Sequence, residues 1–126
     1  MHNSSRPAIC RGLILIAMMA VLSSLTSATI SVQPGGSIQS AIEAAEPGQI
    51  IEVQNGTYLE QINLTKSLYL KGLGRPIIDA SGKGSAITIS AGGSTLLGFT
   101  ATGSGSGSED AGIRVLSNGN ILKDNL

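Results

Sequence analysis

The chain has 126 residues, enough for one domain, and its eight Lys and Arg residues balance its eight Asp and Glu residues. This balance excludes a nucleic-acid or polybasic membrane partner, because such partners require a dense basic face. Aromatic residues make up 2% of the chain and Gly residues number 17, so a core has to be built from Ile, Leu and Val between frequent turns. The composition is typical of an all-β protein with many tight turns.

The N-terminal segment has the three parts of a secretory signal peptide. Two arginines precede an apolar run at 13–22, and small residues follow as far as Ala28. The apolar run is shorter than the ~18 residues that a membrane-spanning helix requires. We therefore predict a signal peptide over residues 1–28, cleaved after Ala28, and a single domain over residues 29–126. Contact with a membrane is expected only through an uncleaved signal segment.

Removal of this segment changes which side chains are available for chemistry. Every Cys, His and Met precedes residue 29: these are Met1, His2, Cys10, Met18 and Met19. The exported chain is therefore expected to have no disulfide, and it lacks the soft and imidazole ligands that copper favours. We accordingly predict no metal and no cofactor.

The first predicted element of the exported chain is a short helix at 37–45. Ser37 is a suitable N-cap, and Pro47 and Gly48 end the helix, because Pro cannot continue it and Gly permits a sharp exit. Its apolar residues are spaced as one helical face: Ile38, Ala41, Ile42 and Ala45. So small a face needs a surface to pack against, so the helix is predicted to cap the N-terminal end of the domain.

From Gly48 onwards the pattern changes to short β-type runs separated by Gly and Asn turns. These turn residues accept positive φ at low cost. The runs lie at 50–53, 62–64, 68–70, 76–78, 87–89, 95–99, 113–115 and 121–122.

The runs repeat along the chain. Residues 87–98 align with 113–124 at an offset of 26, and Ile62 and Leu64 lie 25 residues before Ile87 and Ile89. One period earlier, 67–70 matches 94–97 if two residues are missing at the intervening turn. Three alternating runs in each period predict a solenoid coil with three faces, stabilised by its neighbours. A β-sandwich is the alternative, although it would have longer strands and hairpin turns.

Several motifs also carry a resemblance to a known family. They are Pro34-Gly35-x-Ser37-Ile38-Gln39-x-Ala41-Ile42, Pro47-Gly48, Gly56-Thr57-Tyr58-x-Glu60 and Lys66-Ser67-Leu68-x-Leu70-x-Gly72. Residues 30–90 resemble the start of NosD-like and related pectin-lyase-like β-helix proteins, which are common on archaeal and bacterial surfaces. Pattern and resemblance together predict an all-β fold, a right-handed parallel β-helix (solenoid) of about three coils with a short N-terminal capping helix.

The resemblance implies little about activity, because the same opening precedes pectin methylesterases, lyases, epimerases and proteins without known chemistry. Copper delivery, which the likeness to NosD suggests, is not expected without copper ligands. Glycan chemistry requires positioned carboxylates, and in the related enzymes these lie on central coils, which would follow Leu126. Glu60 is expected to cap or pair locally at a turn, and Asp79 to lie in a turn. We therefore predict no catalytic residue in this chain.

A Gly- and Ser-rich insertion at 102–110 is the candidate binding loop. It ends at Glu109 and Asp110, and insertions in solenoids project from one face, often the binding face. Two carboxylates supply only part of the six to eight oxygens that Ca²⁺ takes. A solvated loop is the simpler interpretation.

The asparagines divide into two groups. Asn55 and Asn63 begin N-x-Thr sequons and are candidate glycosylation sites, with Asn55 preferred because it lies in an Asn-Gly turn. Asn118, Asn120 and Asn125 lack the hydroxyl partner. We expect these three to stack in turns and bond backbone groups.

The function predicted from the sequence is that of an exported surface or secreted β-helix fragment. It is non-catalytic, and either structural or carbohydrate-binding, with polysaccharides or cell-envelope glycans as partners. The alternative is the N-terminal part of a polysaccharide-modifying enzyme, pectinesterase- or lyase-like. An open C-terminal edge predicts marginal stability and self-association, because unpaired strand edges accept other chains.

Overall fold

The computed structural model describes residues 28–126, so the predicted signal peptide lies, except for Ala28, outside the described residues. All strand pairs are parallel, and the chain forms a right-handed parallel β-helix of about four turns with one short helix. The predicted fold class is confirmed. The expected number of coils, about three, is too low, because the strand that precedes the helix was not recognised.

Three parallel sheets form the three faces of the solenoid. Face 1 has five strands: β1 (Ile30–Val32), β2 (Ile50–Val53), β5 (Tyr69–Gly72), β8 (Thr95–Leu97) and β11 (Ile121–Lys123). Face 2 has three strands: β3 (Thr57–Tyr58), β6 (Ile77–Asp79) and β9 (Thr100–Thr102). Face 3 also has three: β4 (Ile62–Leu64), β7 (Ile87–Ile89) and β10 (Ile113–Val115). The helix, α1, spans Ile38–Ala44.

The core consists of aliphatic ladders that run along the solenoid axis. Ile51, Leu70 and Leu96 are stacked on face 1 by their strand pairing, and all three side chains are fully buried. Ile62 and Ile87 form the equivalent ladder on face 3. Each ladder places like side chains on successive coils, so a close-packed interior forms with little aromatic content.

The strand pairing tests the predicted repeat directly. Ile87 pairs with Ile113 and Ile62 pairs with Ile87, so the offsets of 26 and 25 are confirmed. The earlier match of 67–70 to 94–97 is wrong by one residue, because Leu70 pairs with Leu96 rather than with Leu97. A slip of one residue would turn the whole strand inside out. The buried state of Leu70 and Leu96 fixes the true register.

Three strands were missed in the sequence, and each is short or lies beside a turn. The run predicted at 95–99 divides at Gly98, which has a φ of 79°, and Phe99 is fully buried before β9 begins. β3 has only two residues. Strands this short leave almost no alternation to detect.

The predicted helix is confirmed, with Ser37 as N-cap; its hydroxyl accepts from the Ser40 N–H at 3.1 Å. The Glu60 carboxylate accepts from the N–H groups of Ile38 (2.8 Å) and Gln39 (3.2 Å). Glu60 therefore caps a helix, as expected, but the helix lies about twenty residues away in the sequence, so the contact is not local. A negative charge at this end is favourable because of the helix dipole.

The other end of α1 is held by a cation. The Lys66 ammonium donates to the carbonyls of Glu43 (2.6 Å) and Ala45 (2.8 Å). Glu60 and Lys66 lie on either side of β4, in the two turns that flank this strand. They place a negative charge at the N-terminus and a positive charge at the C-terminus of the seven-residue helix, and both charges interact favourably with its dipole. The face of α1 that packs on the core is buried, with Ile38 and Ile42 fully inaccessible.

Candidate functional site

Face 1, with five strands, is the largest of the three sheets in residues 28–126, and its outer side is a regular surface. Side chains point alternately inwards and outwards along each strand. In-register pairing aligns the outward side chains in rows that cross the strands, and neighbours within a row are about 4.8 Å apart. We call these rows the outer strip. One row contains Ile50, Tyr69, Thr95 and Ile121, and the other contains Ser31, Glu52, Lys71, Leu97 and Lys123.

Tyr69 lies in the middle of the outer strip, between Ile50 of β2 and Thr95 of β8. Its side chain is 37% exposed, whereas Tyr58 and Phe99 are buried. Tyr69 is therefore the one exposed aromatic residue of the described chain. An aromatic ring on a flat surface offers an apolar face to a ligand and a hydroxyl at its edge.

The second row supplies hydrogen-bonding groups beside this ring. Glu52 and Lys71 occupy paired positions on β2 and β5. Within residues 28–126 the one ion pair joins Arg114 to Glu109, so Glu52 and Lys71 do not neutralise each other by direct contact. The carboxylate and the ammonium are thus both available to ligand hydroxyls. The alternating residues of β5 indicate in the sequence that one side of this strand faces outwards. The alignment of 67–70 with 94–97 was wrong by one residue, so it did not identify the outward residues of β8.

Both acidic residues of the candidate binding loop already have partners within the chain. Glu109 pairs with Arg114, and the Asp110 carboxylate accepts from the Gly107 N–H at 2.8 Å. The loop packs back on the preceding coil, because the Gly105 N–H donates to the Gly84 carbonyl at 2.8 Å. In the part of the chain that the structure describes, no group of three or more His, Cys, Asp or Glu side chains is arranged to hold a metal ion.

The other carboxylate considered in the sequence, Asp79, ends β6. Its Oδ1 accepts from the N–H of Ser81 at 2.8 Å and shapes the corner that follows. Gly103 of the next coil lies directly against this carboxylate, where a Cβ would overlap with it. The contacts of Asp79 are those of a turn-forming residue.

The two sequons lie in different surroundings. Asn55 is exposed in the bend between β2 and β3, with its side chain against Gly74 of the next coil. Asn63 lies on β4, half-buried, and its Oδ1 accepts from the Ser90 hydroxyl at 2.7 Å. The backbone N–H of Asn63 donates to the Gln39 side chain at 2.7 Å. Asn55 is the more accessible of the two acceptors.

The C-terminal asparagines connect successive coils. Asn120 Oδ1 accepts from the Ser94 N–H at 3.0 Å. Asn125 accepts from the Phe99 N–H and donates to the Leu96 carbonyl, each at 2.9 Å. The predicted structural role is confirmed for both residues. Their amides satisfy backbone groups at corners where the chain leaves the sheets.

Among the titratable side chains of residues 28–126, burial perturbs that of Tyr58. Its hydroxyl donates to the Gln54 carbonyl at 2.8 Å beneath the corner between β2 and β3. Burial raises the pKa of Tyr58 above 10.0, and the nearby Glu60 carboxylate raises this pKa further. Tyr58 therefore stays protonated and serves the structure of the cap region.

The fold defines the class of protein, a right-handed parallel β-helix. Comparison with protein-family models, curated proteins and solved structures gave no match. Among residues 28–126, no helix is long and apolar enough to cross a membrane.

Proposed function

We propose that the chain is an exported parallel β-helix that binds carbohydrate on the outer strip of face 1 without altering it chemically. The observation that carries the proposal is the position of Tyr69, exposed on the middle strand of the five-stranded parallel sheet. The C–H face of a sugar ring packs well on such a ring, while its hydroxyls require polar neighbours. Glu52 and Lys71 are those neighbours.

The regular spacing of the strip supports an extended polysaccharide rather than a small sugar. Outward residues recur on successive strands at intervals of about 4.8 Å, so a linear chain of sugars is able to contact several coils in succession. Lys71 and Lys123 lie in the same row, two strands apart. The resemblance of residues 30–90 to NosD-like and pectin-lyase-like proteins agrees with a glycan ligand and with export.

The two carboxylates considered for catalysis, Glu60 and Asp79, are both held in structural contacts. Glu60 accepts from backbone N–H groups of α1, and Asp79 accepts from the Ser81 N–H. The carboxylates of the candidate binding loop are also engaged, Glu109 with Arg114 and Asp110 with the Gly107 N–H. The alternative function, the N-terminal part of a polysaccharide-modifying enzyme, stays a prediction from the resemblance.

The test is depletion of the protein from solution by a panel of insoluble polysaccharides, with Tyr69→Ala and Tyr69→Phe compared with the unaltered chain. We expect Tyr69→Ala to weaken binding by roughly tenfold, as for the loss of about 1.4 kcal/mol of aromatic contact. Tyr69→Phe keeps the stacking surface and should retain most of the affinity.

Leu59→Ala is the matched control, because Leu59 is 72% exposed but lies away from the outer strip. It should bind like the unaltered chain, and all variants should keep their melting temperature. Failure of the unaltered chain to bind any member of the panel would overturn the proposal, as would full binding by Tyr69→Ala.

A further inference from the structure

The corner between β2 and β3 contains an Asn-Gly pair, Asn55-Gly56. Asn55 is exposed at this bend, and Gly56 is half-buried. Among residues 28–126, no backbone carbonyl accepts from the Gly56 N–H. The Gly56 nitrogen is therefore not held in a hydrogen bond of the solenoid, and the side-chain carbonyl carbon of Asn55 is its neighbour along the chain.

The fold requires glycine at the second position of this pair. Gly56 has a φ of 153°, a backbone conformation that side chains rarely adopt. A Cβ at this position would lie only 2.5 Å from the Cγ of Pro34 on the preceding coil. Because glycine has no side chain, the nitrogen of Gly56 is also unshielded from attack on its neighbour.

Such a pair supports an intramolecular reaction that needs only water. The Gly56 nitrogen bonds to Cγ of Asn55 and closes a succinimide ring; the bond from Cγ to Nδ2 breaks, and Nδ2 leaves as ammonia with the proton from Gly56. Water then opens the ring at either carbonyl carbon and gives aspartate or isoaspartate. Both reacting groups belong to adjacent residues, which favours ring closure through proximity.

The asparagines at the later corners lack this freedom. The nitrogen that follows Asn120 is engaged, because the Ile121 N–H donates to the Ser94 carbonyl at 2.9 Å. The nitrogen that follows Asn125 is engaged in the same way, because the Leu126 N–H donates to the preceding coil at 2.8 Å. Ring closure at either residue would first have to break a hydrogen bond between coils.

Asn63 is the closest comparison for Asn55, since both begin sequons. It is followed by Leu64, which is fully buried on β4, and its Oδ1 accepts from the Ser90 hydroxyl at 2.7 Å. A second Asn-Gly pair, Asn118-Gly119, lies on the last coil, where the structure describes neighbours on one side only. The bend at Asn55 has a described coil on both sides.

We propose that Asn55 is a site of spontaneous deamidation in the folded protein, through a succinimide closed by the Gly56 nitrogen. The proposal does not rest on carbohydrate binding. A glycan on Asn55 would occupy the Nδ2 that leaves as ammonia, so glycosylation and deamidation exclude each other at this residue. The isoaspartyl product adds an atom to the main chain where the Gly56 carbonyl accepts from the Ile77 N–H at 2.8 Å, and it would disturb the pairing of β3 with β6.

The test is incubation of the purified chain, produced in a host without N-glycosylation, in mildly alkaline buffer, followed by trypsin digestion and tandem mass spectrometry. No Lys or Arg lies between Arg11 and Lys66, so Asn55 and Asn63 fall in one peptide and are compared directly. We expect Asn55 to exchange its amide for a carboxyl group at least roughly tenfold faster than Asn63.

The same incubation in urea separates the effect of the fold from that of the dipeptide. Because the fold leaves the Gly56 nitrogen free, the rate at Asn55 in the folded chain should lie within roughly tenfold of the rate in the unfolded chain. Asn55→Gln is the control, since it keeps an amide but needs a larger ring, and it should stay unmodified at this position while circular dichroism shows the same fold. Equal rates at Asn55 and Asn63 in the folded chain, or an Asn55 that is intact when folded and reacts only in urea, would each overturn the proposal.

Discussion

Replacing Leu96 by Ala tests the ladder that holds face 1 together. Leu96 is fully buried between Leu70 on the preceding coil and Leu122 on the following one. Truncation removes its apolar transfer energy and leaves a cavity between stacked coils that relax only in part. Both effects together cost about 3–5 kcal/mol. Because small domains are stable by about 5–15 kcal/mol, this loss is a large fraction of the total.

The neighbouring residue on the same strand provides the control. Leu97 points outwards and is half-exposed, so Leu97→Ala should cost less than about 1 kcal/mol. Urea denaturation followed by circular dichroism measures both free energies of unfolding. Equal losses, or a greater loss for Leu97→Ala, would refute the inward register of Leu70 and Leu96.

Two further predictions concern the cap region. Glu60→Gln should lower the free energy of unfolding by about 1–2 kcal/mol, because a charged acceptor of two helical N–H groups is lost. Urea denaturation measures this loss. The control is Glu43→Gln, on the exposed side of α1, which should change the free energy of unfolding by less than about 0.5 kcal/mol. Tyr58 has a raised pKa, so its contribution is fully present below pH 10.0 and is lost as the pH rises through the folded pKa, because the unfolded chain releases this proton first. Thermal melts between pH 8 and pH 12 should therefore show an alkaline decline that is smaller in Tyr58→Phe; equal declines in the two proteins would contradict this.

Much of the fold was predictable because the repeat is visible as paired apolar residues. Ile62, Ile87 and Ile113 occupy one ladder in the sequence and in the structure alike. The register failed where a corner changes length. From β4 to β7 the offset is 25, whereas from β5 to β8 it is 26, and an alignment has no means of placing the added residue without knowing which side chains are buried.

The cap and the outer strip were less predictable, because both depend on contacts between coils. Glu60 and α1 are adjacent only when the first coil has closed beneath the helix, so a local reading of the Gly-Thr-Tyr-x-Glu motif does not identify the capped residue. The outward position of Tyr69 is evident only from its pairing with Ile50 and Thr95, which lie on the preceding and the following coil. An aromatic residue in a short alternating run is by itself more typical of a core position.

The in-register period of 26 residues has a consequence for how such a chain grows. Leu70, Leu96 and Leu122 are separated by equal steps, so tandem duplication of one such segment between β5 and β11 would add a complete coil without altering any existing contact of α1. The helix bracketed by Glu60 and Lys66 would keep these contacts, and the number of coils would be free to change. A gene with such a repeat could change the length of the encoded solenoid by unequal recombination, while each coil keeps the same outward side chains.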